Sequence, residues 1–137
     1  MGPGYAPSVR PPSPDERDLY EQACSAAGNA HAPYSGFAVG AALRVAGGEV
    51  VRGANVENAS YGLTCCAERT AVFTAVAAGH IRFESIAVHA EADTAPPCGA
   101  CRQVLAEFAP DLTVVFRREG ELVAADMSEL LPERFQL

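Results

Sequence analysis

The sequence has no apolar run approaching the roughly 18 residues that a membrane span needs, so no membrane partner is expected. It has no cluster of basic residues beyond the pair Arg117-Arg118, and its net charge is −7. Long DNA or RNA would be repelled by most of such a surface, because polyanion binding rests on Lys/Arg contacts to phosphates. A single nucleotide is not excluded on charge alone. The stretch from Met1 to Pro14 is rich in Pro and Gly and lacks the apolar core of a signal peptide, which makes a cytoplasmic location the expectation. No internal repeat and no linker divides the chain. The five cysteines are an odd number, and without a secretory leader they point to metal binding before a disulfide framework.

What is present is the material of one globular domain: 137 residues, 49% hydrophobic and 20% charged. Residues 1–12 read as a disordered Pro/Gly-rich tail and residues 13–137 as a single domain. Ser13-Pro14-Asp15-Glu16 has the form of a capping box with Pro at the first helical position, opening a helix that runs to about Gly28. A loop broken by Pro33 and Gly36 follows. Strands are expected over Phe37 to Val45 and Glu49 to Val56, joined at Gly47-Gly48. Then come a helix from Cys66 to Ala78 stopped by Gly79, a buried strand over Phe83 to Ala90, and a helix from Cys98 to Phe108. A strand over Leu112 to Arg117, a short one at Leu122 to Ala124 and a short helix at Met127 to Leu131 end the chain. Helices crossing between later strands imply parallel pairing, so the fold class is α/β with a mixed sheet.

Two segments stand apart: Cys66-Ala67-Glu68 and Pro97-Cys98-Gly99-Ala100-Cys101, each at a helix start. Cys98 and Cys101 are i and i+3, so both sulfurs face one side of a first helical turn and can clamp one ion. Cys66 supplies a third thiolate from a separate helix, and helix N-termini favour the thiolate form. Three protein ligands leave one tetrahedral position open, the pattern of catalytic rather than structural zinc. Glu68, two residues past a ligand, sits beside the ion without binding it, placed to move protons between water and a substrate. Three thiolates exceed the charge of Zn²⁺ by one, and Arg69 is expected to offset that by hydrogen bonding to ligand sulfurs. Competing readings of the Cys-x-x-Cys pair are half of a structural zinc ribbon, a redox site, or two core cysteines. A fourth ligand is hard to find. Cys65 would point about 100° away from Cys66 on a helix, Cys65 and Cys24 read as core residues, and His31, His80 and His89 occur singly without ligand spacing.

A ligand-x-Glu step followed by Pro-Cys-x-x-Cys is the signature of zinc deaminases. Other motifs fall in order around it: Pro33 to Phe37 (PYSGF), Val39 to Leu43 (VGAAL), Asn55 to Tyr61 (NVENASY), Cys66 to Ala71 (CAERTA), Pro97 to Val104 (PCGACRQV), and Leu130-Leu131-Pro132 followed by Phe135. From about residue 15 to 137 the chain resembles the small homotetrameric zinc-dependent cytidine deaminases. The resemblance implies a three-layer α/β/α fold with a five-stranded mixed sheet, one Zn²⁺ per subunit, and hydrolysis of free cytidine and deoxycytidine to uridine and deoxyuridine. It implies Glu68 as proton shuttle and Cys66, Cys98 and Cys101 as ligands. Asn55 and Glu57 resemble the pair that grips the ribose, Phe37 the residue that stacks on the base, and the Ala67 backbone a contact to the base. Ala59, Tyr61 and Phe135 resemble residues that reach a neighbouring subunit's pocket, so a homotetramer with shared sites follows. His31 and Cys65 depart from the common pattern. The rival readings are a blasticidin-type deaminase of a cytosine nucleoside antibiotic, a non-catalytic zinc-stabilised binding protein and, disfavoured by charge, a nucleic-acid editor.

Overall fold

Ser13 opens the first helix, α1 (Pro14–Ala27), with a reciprocal capping box: its hydroxyl accepts from the Glu16 backbone N–H at 3.3 Å, and Glu16 Oε1 accepts from the Ser13 N–H at 2.8 Å. In the computed structural model, which describes residues 7–137, the chain continues through β1 (Val39–Val45), β2 (Val50–Ala54), a single 3₁₀ turn at Tyr61–Leu63, α2 (Ala67–Ala77), β3 (Phe83–Ala90), α3 (Gly99–Phe108), β4 (Thr113–Arg118), β5 (Glu121–Asp126) and α4 (Met127–Leu130). The strands form one sheet in the order β2-β1-β3-β4-β5. Only β3 and β4, joined by the crossover helix α3, run parallel among the paired neighbours. No helix among the described residues is long and apolar enough to cross a membrane.

Alternation along the strands builds two cores. Ala41, Leu43, Val45, Ile86, Val114 and Phe116 meet Val72 and Ala75 of α2 and Leu105 of α3. On the opposite face the small residues Ala42, Ala87, Val115 and Ala124 lie under Leu19, Tyr20 and Ala23 of α1. The result is the three-layer α/β/α arrangement with a mixed five-stranded sheet. Small residues let the helices come close. A Cβ on Gly40 would stand 2.0 Å from the Ala23 carbonyl oxygen, and one on Gly53 would stand 2.4 Å from the Ala67 carbonyl oxygen. Gly53 therefore fixes how near the first turn of α2, with its Cys-Ala-Glu segment, lies to the sheet.

Element edges differ from the sequence expectation for identifiable reasons. The hairpin strands are shorter at their open end because the Asn55 side chain replaces the ladder there, accepting from Val39 N–H at 2.9 Å and donating to Phe37 C=O at 2.8 Å. β5 is longer than expected. Residues 7–12, placed in the disordered tail by composition, lie against its edge: Arg10 and Ala124 exchange backbone hydrogen bonds of 2.9 and 2.8 Å. Both Arg10 Nη atoms also meet the Glu16 carboxylate at 2.8 Å. The expectation for residues 1–6 lies outside the described residues.

Gly53→Ala should lower stability by about 2 kcal/mol or more, since backbone and not a flexible side-chain end blocks the added methyl. Gly62→Ala, with nothing within 4 Å of its Cβ position, should stay within about 0.5 kcal/mol. Urea midpoints of the two variants against the parent make the comparison.

Candidate functional site

The two helices on one face of the sheet both begin at the same place. Cys66 is the N-cap of α2 and Cys98 the N-cap of α3, each in extended backbone conformation, and Cys101 lies in the first turn of α3, fully buried. Pro97 sits one residue before the cap. Side chains tie both starts down. Thr70 Oγ1 donates to the Ala54 carbonyl at 2.8 Å and accepts the Ala54 N–H at 3.0 Å, pinning α2 to β2. Arg102 donates from Nε to the Pro97 carbonyl at 2.8 Å and from Nη1 to the Leu130 carbonyl at 2.9 Å, pinning the approach to α3 against α4. Neither tie had a signal in residue type or spacing.

The three sulfurs converge. Cys66 and Cys98 are 3.9 Å apart, Cys98 and Cys101 3.2 Å, and all three lie within 4.8 Å of one another. Those separations are well beyond the about 2.05 Å of a disulfide, and all five cysteines are free. Zn–S bonds of about 2.3 Å in a tetrahedron place sulfurs roughly 3.8 Å apart, so the cluster fits zinc. Among the described residues it is the one group of three potential metal ligands. Cys65 lies outside it. Helix α2 starts too late to include Cys65, which pairs instead with Val56 through backbone bonds of 2.9 Å in each direction and is half-buried rather than core. Cys24 is likewise half-buried, against the α1 side of the sheet. His31 is a backbone bridge to Val56, His80 faces Glu49 at 3.0 Å, and His89 meets the Tyr20 hydroxyl at 2.7 Å.

Charge around the cluster is graded. The Cys66 thiol is lowered to about 5, first by a hydrogen bond from Cys101 and then by Arg69. Cys101 is pushed up by that same hydrogen bond and by burial. A divalent cation that binds here displaces the thiol protons. Arg69 Nη2 donates to Cys66 Sγ at 3.2 Å, while its Nε is buried with no hydrogen-bond partner. Glu68, 4% exposed, has its carboxyl raised above the usual range by burial.

Glu68 lines a cleft of about 400 Å³ together with Phe37, Asn55, Cys66, Ala67 and Cys98. Val88, Ala90 and the segment Thr94 to Pro96 close its other side; nothing in their residue types marked them in advance. The volume is in the range of small-molecule sites. A larger hollow of about 580 Å³ lies beyond Thr94 and Pro96, around Phe116 and Leu130, and contains none of the three cysteines. Phe37 is 44% exposed at the rim, not an ordinary core residue. Ala67 is the first helical residue of α2, where its N–H has no partner within the helix. Asn55 is buried with its amide engaged by the backbone of residues 37 and 39. Glu57 is outside the cleft, in an adjoining hollow that shares Thr64 with it. Ala59, Tyr61 (78% exposed) and Phe135 (70% exposed) do not line the cleft.

Comparison with known proteins gives this site its family. A model described as the cytidine and deoxycytidylate deaminase zinc-binding region matches residues 13–117. The cytidine deaminase of Halalkalibacterium halodurans is 50% identical over 126 residues, spanning 88% of this chain and 94% of that protein. The crystal structure of cytidine deaminase from Burkholderia pseudomallei superposes with a TM-score of 0.83 at 49% identity, covering 87% of this chain and 98% of that one. A blasticidin-S deaminase of Bacillus cereus is 33% identical over 106 residues, 71% of this chain and 76% of that protein. Both the matched region and the reach of these alignments lead to one statement: this chain belongs to the zinc-dependent cytidine and deoxycytidylate deaminase family.

Proposed function

We propose that the protein hydrolyses free cytidine and deoxycytidine to uridine and deoxyuridine with release of ammonia, as an enzyme of pyrimidine salvage. The carrying observation is a buried glutamate lining the same small cleft as Cys66 and Cys98, two of three convergent thiols. Cys66, Cys98 and Cys101 would hold one zinc ion per subunit, and bound zinc supplies the Lewis acidity that makes water an effective nucleophile near neutral pH. The proton work falls to Glu68. Its carboxylate takes a proton from the attacking water as oxygen adds to C4, and delivers it to N3. It then carries a second proton from the new hydroxyl to the amine, so the C4–N bond breaks and ammonia leaves. Burial raises the carboxyl's proton affinity, which suits a group that must hold and release protons in one cycle.

Phe37 at the rim offers a face for the pyrimidine to stack on, and the Ala67 N–H, which has no partner within the helix, would donate to the base. Asn55 keeps a second amide proton and a carbonyl lone pair beyond its backbone contacts, and Glu57 keeps lone-pair capacity for a hydroxyl. Neither contact requires a 2′-hydroxyl, so deoxycytidine serves as well. We place the active unit in one domain over residues 13–137, in the cytoplasm, as a homotetramer in which Ala59, Tyr61 and Phe135 complete a neighbour's site. The exposure of Tyr61 and Phe135 away from their own cleft favours this.

The identity to a blasticidin-S deaminase keeps one second reading in view, and competition between cytidine and blasticidin S for turnover decides it. A zinc-stabilised binder without catalysis has no use for Glu68. Glu68→Gln should keep zinc, by metal analysis, while the loss of cytidine absorbance slows by about 10³-fold or more. Arg69→Ala should lower activity or zinc affinity by about 10- to 100-fold; unchanged values would remove its assigned role. Chelation should abolish turnover and added zinc restore it. Light scattering should give four chains per particle, and Phe135→Ala should weaken both assembly and cytidine affinity.

A further inference from the structure

The segment carrying Phe37 is bound to the residues that follow β2 through the Glu57 carboxylate, the Asn55 amide and the Ser35 hydroxyl. Glu57 Oε1 accepts the backbone N–H groups of Tyr34 at 2.9 Å and Ser35 at 3.1 Å, and Glu57 Oε2 accepts the Ser35 hydroxyl. The same Ser35 Oγ accepts the Phe37 N–H at 2.9 Å. Phe37's carbonyl accepts from Asn55 Nδ2 at 2.8 Å. The backbone of Phe37 is thus held on its N–H side by Ser35 and on its carbonyl side by Asn55. The hollow holding Ser35 and Glu57 measures about 340 Å³ and meets the cleft at Thr64.

We infer that Ser35 is a positioning residue that couples the carboxylate of Glu57 to the aromatic wall at Phe37, and so sets nucleoside affinity rather than the chemical step. This rests on the deaminase reading, with Glu57 on the sugar and Phe37 on the base. A serine hydroxyl has one proton to give and lone pairs to accept with. Here the proton goes to Glu57 and a lone pair takes the Phe37 N–H, and only a hydroxyl can fill both roles. Without it the carboxylate loses one of three donors and the N–H loses its acceptor. Both groups can then turn from the geometry that meets a nucleoside, which lowers affinity by lost preorganisation. The Ser35 hydroxyl and the two backbone N–H groups also hold the Glu57 carboxyl below the usual carboxylate range, so it is ionised and ready to accept from sugar hydroxyls. Ser35 does not line the cleft that holds the thiols and Glu68, which is why the bond-making step should be spared.

The test uses the zinc-loaded full chain with Ser35→Ala and Ser35→Thr. Ser35→Ala should raise KM for cytidine about tenfold, the scale of losing a hydrogen bond to a charged group at a partly exposed site, with kcat within about twofold. Threonine keeps the hydroxyl and should stay within about threefold of the parent KM. Combined with Glu57→Gln, Ser35→Ala should add little further, because both act through one contact. An unchanged KM in Ser35→Ala, a loss confined to kcat, no rescue by threonine, or full additivity with Glu57→Gln would each overturn the inference. Calorimetric binding of cytidine to the zinc-loaded Glu68→Gln chain, with and without Ser35→Ala, reads the same coupling without turnover. A parent that binds cytidine but never converts it would end the deaminase reading, while a Kd raised about tenfold by Ser35→Ala in that background would still sustain the role of Ser35.

Discussion

Two helix starts are forced to one point, and the chemistry depends on that convergence. Three sulfurs within 4.8 Å of one another have to be held there by the rest of the fold, so that a cation can take the place of their protons. The enforcement is spread over the Thr70 clamp on Ala54, the Arg102 clamp on Pro97 and Leu130, and the close seating of α2 over Gly53. None of these touches a sulfur. Each fixes a backbone from which a sulfur projects, so the rigidity of the site is a property of the helix–sheet packing.

Charge explains the next layer outward. Three thiolates around a divalent cation leave one negative charge in excess, and surplus negative charge makes a bound water harder to ionise. Two helix N-termini and the Arg69 guanidinium supply positive potential at that point. Arg69 is an arginine of restricted freedom: one Nη bonds the Cys66 sulfur, and its Nε is sealed from solvent without a partner. Burying a donor unpaired costs free energy. Such a cost is tolerable where the guanidinium's charge is needed beside the sulfurs, and it makes Arg69 the place where stability and chemistry pull against each other.

Much of this was legible in the sequence, and the parts that were not share a cause. The helix starts at Ser13, Cys66 and Cys98, the crossover at α3 and the turn at Gly47-Gly48 all follow from local rules on capping, period and turns. The three-cysteine cluster could be read because it is compact in sequence: two cysteines three apart and a third two residues before a glutamate. The Thr94 to Pro96 wall, the Arg102 clamp and the Ser35 junction could not, since each joins residues distant in sequence through groups that occur at many surface positions. Arg10 illustrates the opposite failure. Proline and glycine around it predict disorder, but one pair of backbone bonds to Ala124 and a two-pronged contact with Glu16 hold the segment on the edge of β5. Composition weighs a segment's own burial and misses an edge waiting to be covered.

The mouth of the cleft follows a different logic from its floor. The floor is built on helices and strands, where regular hydrogen bonding leaves side chains free for chemistry. At the mouth the regular ladder has ended. The side chains of Asn55, Glu57 and Ser35 take over the backbone donors and acceptors that it leaves. In the proposed function Asn55 and Glu57 would also meet the sugar, so structure and recognition would draw on one set of hydrogen-bonding atoms. A carboxylate already holding three donors at Glu57 gives up less conformational freedom on meeting a hydroxyl than a free one would.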